Sequence, residues 1–215
     1  MRNSRPWALF LLVAIQLLSI FARAEQSAPK QSLRPVIAVY WDCRASRPGK
    51  GETFPVIVAI WNDGTIIWSK EPVNGGAPYF KGHIEPKELT QTLTVIREKV
   101  KDKEFKKFNV GFDSAYTRIA IDDAESPLFM ASWHEGFESN PKLVDTANGI
   151  TSLDGRDRKA VWEKQPEEYK TFRAVWAYIK ESALALIPKE GEAVQDITFG
   201  RDTHGDQTVI LNIKK

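Results

Sequence analysis

The chain has 215 residues, 42% of them hydrophobic, with 30 Lys and Arg against 28 Asp and Glu, and one cysteine. A single cysteine excludes an internal disulfide framework, so stability must come from packing. The formal charge of +2 is spread over mixed-sign segments, and no basic stripe marks a nucleic-acid or anionic-lipid surface.

The first residues read as a cleavable signal peptide over residues 1–24, with an uncleaved N-terminal anchor as the alternative reading. Arg2 and Arg5 make a positive start, Trp7 to Phe21 is apolar apart from Gln16 and Ser19, and Ala22-Arg23-Ala24 supplies a small-x-small cleavage pattern. The apolar run is short against the ~20 residues of a spanning helix, and no membrane span is expected after cleavage. The expected location is therefore outside the cytoplasm, periplasmic or extracellular. Cleavage removes three arginines and no acid, which leaves 27 basic against 28 acidic residues and a charge near −1. Residues 25–34 read as a flexible leader and residues 35–215 as a single domain, since no long Gly, Ser or Pro linker interrupts them.

Val36 to Trp41 is a β-rich apolar run. Val56 to Trp61 is another, joined to Thr65 to Trp68 across Asn62-Asp63-Gly64, which is hairpin-turn chemistry. The first strand of that hairpin is apolar on both faces and predicts a central position in a covered sheet. Residues 70–83 read as a loop. Pro86 then opens an amphipathic helix over 86–101, with Leu89, Leu93, Ile96 and Val100 on one stripe. Phe105 and Phe108 are expected to tuck its exit against the core.

Tyr116 to Ile121 and Leu128 to Trp133 predict a second hairpin, with Asp122-Asp123 in a solvated turn. The polar stretch 134–165 suggests short helices at Asn140-Pro141 and over Asp157 to Glu163. Pro166 begins the strongest helix, with Tyr169, Phe172, Trp176, Ile179, Ala183 and Leu186 spaced 3, 4, 3, 4, 3 until Pro188. Ile197 to Phe199 and Thr208 to Ile213 predict a closing hairpin. Strands arriving as hairpins between a few long helices predict an α+β fold: an antiparallel sheet with two main amphipathic helices packed on it.

Candidate chemistry is sparse. His134-Glu135-Gly136-Phe137-Glu138 places Glu138 where a zinc protease carries its second histidine, so His134, Glu135 and Glu138 are the candidate catalytic residues. Gly136 disfavours a helix there, and only His83 and His204 could add an imidazole. No metal or cofactor is therefore expected. Cys43 stands at a strand end beside Asp42 and Arg44, with no histidine placed near it; a passive thiol is the plainer reading, a nucleophile or an interchain bridge the sharper one. Gly49-Lys50-Gly51 lacks the rest of a phosphate loop, and no Gly-x-Ser-x-Gly elbow occurs. Trp41, Trp68 and Trp133 fall near strand ends, where they either complete the core or form a ligand-contact shelf.

Ile60-Trp61-Asn62-Asp63-Gly64-Thr65-Ile66-Ile67-Trp68-Ser69, then Gly75-Gly76-Ala77-Pro78-Tyr79, resembles a family of exported bacterial proteins of the kind abundant in planctomycetes, a domain of unknown function. Ser132 to Leu143, Leu153-Asp154-Gly155-Arg156, Glu168 to Arg173 and Trp176 are similar too, so the resemblance covers most of residues 55–187. It implies a bacterial source and export, and it brings no activity, cofactor or site residue. The expected function is a non-enzymatic binding module in the cell envelope, a monomer or weak dimer whose partner is an envelope protein or a small ligand. The competing expectations are an envelope hydrolase, metal-assisted or acid-based, centred on His134, Glu135 and Glu138, and a surface-assembly protein with a large exposed apolar patch or an interchain Cys43 bridge.

Overall fold

The computed structural model describes residues 34–43, 54–103, 105, 115–123, 127–133, 140–195, 197–201 and 209–213, without the side chains of Cys43, Ala115, Trp133, Arg201 and residues 209–213. All of these lie in one compact unit. The expected signal peptide and all of the leader except Arg34 lie outside the described residues.

The hairpin at Asn62-Asp63-Gly64 shows how local chemistry starts the sheet. Strands β2 (Val56–Ile60) and β3 (Thr65–Ser69) pair Ile60 with Ile66 and Val58 with Trp68. Gly64 sits at φ 82° in the left-handed region, where a Cβ would collide with the Ile84 carbonyl oxygen, so only glycine serves the turn. Strand β1 (Ile37–Cys43) pairs antiparallel with β2 on one side and with β5 (Ala115–Ile121) on the other. Strand β6 (Leu128–Trp133) completes the second predicted hairpin against β5.

Two strands of this sheet were not expected. β4 (Tyr79–His83) lies inside the stretch read as a loop, and β9 (Glu192–Val194) pairs with its free edge. Lys81, Gly82 and His83 erase the alternation that marks a half-buried strand; the ladders to β3 and β9 make this segment a strand, which no local pattern reveals. Gly82 is required there because a Cβ would press on Trp68 and Pro188. The resulting sheet is antiparallel throughout, in the order β6-β5-β1-β2-β3-β4-β9, with β2 at its centre and all five β2 residues buried.

Helix α1 (Pro86–Val100) buries Leu89, Leu93 and Ile96, and its Pro86 needs no N–H partner in the first turn. A short α2 (Arg158–Glu163) precedes α3 (Glu167–Ala185). In α3, Glu167 and Glu168 occupy the first turn, where negative charge suits the helix dipole, and Tyr169, Phe172, Trp176, Ile179 and Ala183 form the predicted stripe. That stripe joins Ile37, Val39, Ile119 and Met130 in the main core on one face of the sheet. Burying each of its large side chains contributes about 1.5–3 kcal/mol before entropic costs. Phe105 packs edge-on against Phe172 at 6.4 Å, as expected, while Phe108 lies outside the described residues.

The opposite face carries a smaller apolar cluster of Ala38, Tyr40, Val56, Ala59, Trp61, Ile67 and Tyr79. It is capped by the hairpin of β10 (Ile197–Arg201) and β11 (Val209–Ile213), whose Phe199 meets Tyr79 edge-on at 5.4 Å. Phe54 N–H donates to the Phe199 carbonyl at 2.7 Å and fastens this cap to the start of β2. Burial pushes the Tyr79 phenol up to about 12, against the opposing bond that the Val56 N–H donates to it. Covering on both faces is the reason β2 can be apolar throughout. The fold class is α+β, as predicted.

Candidate functional site

The stretch 140–165, where short helices were expected, contains a third hairpin. Strand β7 (Leu143–Thr146) pairs with β8 (Gly149–Ser152), and Asn140-Pro141 opens a turn rather than a helix. The turn is held from both sides: the Leu143 N–H reaches the Asn140 carbonyl at 3.1 Å, and Leu153 N–H reaches the Lys142 carbonyl at 2.8 Å. These bonds satisfy the backbone without a helix. Asn148-Gly149 between two short β-prone runs was the sequence signal for this hairpin.

The helix over Asp157 to Glu163 does form. Asp157 caps it, accepting from the Lys159 and Ala160 N–H groups at 3.3 and 3.1 Å. Gln165 ties the hairpin to α2, accepting from Ala147 N–H of the hairpin turn and donating to the Val161 carbonyl of α2, both at 3.0 Å. Lys170 Nζ donates to the Glu163 carbonyl at 2.9 Å and to Glu167 Oε1 at 2.7 Å, so α3 also closes the end of α2.

Between β7, α2 and α3 lies a cavity of about 670 Å³, within the size range of small-molecule sites. Val144 and Asp145 come from β7; Asp157, Arg158, Lys159 and Trp162 come from α2 and its cap; Lys170, Arg173 and Ala174 come from α3. Lys170, Arg173 and Ala174 flank the core stripe of α3, which places them along the edge of its buried face.

Arg173 is the centre of this arrangement. Its Nε stands 3.2 Å from Asp145 Oδ2, its Nη1 donates to Ser132 Oγ of β6, and its guanidinium lies over the Trp176 ring at 4.8 Å. The Arg173 and Asp145 side chains are 14% and 8% exposed, so the charges meet in a partly desolvated setting. Neither Asp145 oxygen has a well-aligned hydrogen bond among the described residues. Burial therefore pushes the Asp145 carboxyl above its ordinary value, and the pulls of Arg173, the Tyr169 hydroxyl and the Thr146 backbone only partly oppose it.

The residues singled out from sequence lie elsewhere or outside the described chain. His134, Glu135 and Glu138 lie outside the described residues, as does His204, and His83 ends β4 at an exposed position opposite Thr65. Trp68 is 9% exposed and stacks on Phe80 at 5.9 Å, so it belongs to the core and offers no ligand shelf. Trp41 is half-buried on the helix side of β1, opposite Thr117; Trp133 ends β6 and its side chain lies outside the described residues, as does that of Cys43. Asp123 is not a solvated turn residue. Arg97 of α1 grips it in a fork, Nε to Oδ2 at 2.5 Å and Nη2 to Oδ1 at 2.9 Å, which locks the β5–β6 hairpin to the helix.

Among the described residues no cluster of three or more His, Cys, Asp or Glu could hold a metal ion, and no helix is long and apolar enough to cross a membrane. Neither a family model, nor a curated protein, nor a solved structure matches this chain.

Proposed function

We propose that this chain is an exported cell-envelope domain of the planctomycete-type bacterial family it resembles, and that it works by binding rather than by catalysis. Its ligand is a small molecule seated between β7, α2 and α3. The observation that carries this reading is the cavity of about 670 Å³ with a half-buried arginine held on three sides at its wall. A side chain fixed in this way presents its charge without a large ordering cost, which is what a preformed binding site needs.

Hydrogen exchange on the chain purified from its host's envelope tests this. Adding the small-molecule extract of that envelope is expected to slow exchange in residues 143–146 and 158–174 while leaving β2 and β3 unchanged. Turnover of an envelope substrate that disappears on His134→Ala would overturn it in favour of a hydrolase. The intact mass of the same preparation tests export, the expected value being that of residues 25–215.

A further inference from the structure

The cavity has two kinds of wall, and together they define a ligand class. Its cations outnumber its acids, with Arg158, Lys159, Lys170 and Arg173 against Asp145 and Asp157. The two acids are already engaged, Asp157 by the N-terminus of α2 and Asp145 by Arg173. Lys159 is 81% exposed and only 3.9 Å from Glu163, a contact too loose to hold its charge. Lys170 spends two of its three N–H donors on Glu163 and Glu167, and the third has no protein acceptor among the described residues. A free N–H on Lys170 and the loosely held charge of Lys159 therefore remain beside the Arg173–Asp145 pair, although Lys170 shares its charge with the exposed Glu167 carboxylate at 2.7 Å.

The rest of the lining is apolar: Val144 of β7 is buried, and Ala174 and the half-buried Trp162 stand on the two helices. Trp162 is steadied by Tyr169, with ring centroids 5.9 Å apart and planes tilted by 58°. A bare inorganic anion would meet the ammonium groups and leave this apolar lining wet. An uncharged apolar molecule would fill the lining and meet no acceptor demand from Lys170. A ligand that is both anionic and flat satisfies both walls, its ring against Trp162 and its charge against the lysines.

We infer, resting on the reading of this cavity as the binding site, that it takes an aromatic or similarly flat organic acid, whose ring lies along Trp162, Val144 and Ala174 and whose acid group meets Lys170 and Lys159.

Titration calorimetry with 2-naphthoate, 2-naphthylmethanol and inorganic phosphate tests this on the intact chain. The expected result is one naphthoate site, with the alcohol and phosphate each at least tenfold weaker. Lys170→Met is expected to weaken naphthoate at least fivefold with an unchanged circular dichroism spectrum. Trp162→Leu is expected to weaken it at least tenfold; because Trp162 also packs on Tyr169, Lys159→Met serves as a second charge variant on an exposed side chain. Equal binding of the alcohol, or no effect of either lysine variant, overturns the charge requirement. Equal binding of phosphate overturns the flat-ring requirement. If the envelope extract protects residues 143–146 and 158–174 from exchange but naphthoate does not bind, the ligand class falls and the cavity's binding role stands. If neither has an effect, both readings fall.

Discussion

The Arg118–Asp42 and Arg173–Asp145 pairs join the same side-chain types at similar burial, yet they sit in different mechanical settings. Arg118 and Asp42 are on neighbouring strands β5 and β1, on the sheet face away from α1 and α3, with Arg118 Nε 2.6 Å from Asp42 Oδ2. Their Cα positions are dictated by the backbone ladder, and Arg118 also covers the Phe129 ring at 5.2 Å. Arg173 and Asp145 come from a helix and a separate two-stranded hairpin. No shared ladder holds those elements; side chains do. A pair inside a ladder contributes to stability alone, whereas a pair that bridges independent elements beside a cavity can also answer to what enters it.

The contrast can be broken by removing one partner from each pair. Asp42→Ala leaves the Arg118 charge buried without its carboxylate, and the expected loss is about 3–5 kcal/mol in urea unfolding. Replacing both residues, Asp42→Leu with Arg118→Met, is expected to recover most of that loss, because the ladder keeps the backbone in place. Neither change should alter naphthoate binding.

Arg173→Met should cost less, about 1–3 kcal/mol near neutral pH. Burial already raises the pKa of the carboxyl it abandons, so that carboxyl can escape its charge by taking up a proton more readily than an ordinary carboxylate. The penalty should therefore shrink as pH falls, which urea unfolding at several pH values would show. If the penalty stays constant with pH, Asp145 is not the group that responds.

Asp145→Asn sharpens the point. A carboxyl whose folded pKa is raised contributes its full stability below the unfolded value of about 3.8, and that contribution is lost as pH rises through the folded value. The stability of Asp145→Asn relative to the unaltered chain should consequently rise with pH over this window. A flat difference would mean the Arg173 guanidinium offsets burial completely. At the small end, Glu163→Gln should shift stability by less than about 0.5 kcal/mol, since its carboxylate is 64% exposed and 3.9 Å from Lys159.

What was legible in advance follows the same division between ladder and bridge. The β2–β3 and β5–β6 hairpins, α1 and α3 each carry their own periodicity, and Gly64 and Pro86 mark where two of them begin. Asp123 looked like turn decoration because its partner, Arg97, is 26 residues earlier in the chain. The tryptophans looked like candidate shelves because sequence reports an aromatic without reporting what covers it; Trp68 turned out to be covered by Phe80.

By itself the sequence determined the β2–β3, β5–β6 and β10–β11 hairpins, the two long helices and the α+β class, because hydrophobic period and turn chemistry act over a few residues and need no distant partner. Tertiary structure alone decided that Tyr79–His83 is a strand, that Trp68 is core, and that Asp145, Lys170 and Arg173 converge with Trp162 on one cavity. Those outcomes depend on ladders and charge contacts between segments far apart in the chain, which no local pattern reports, and such contacts exist only once the main core has docked α3 against the sheet.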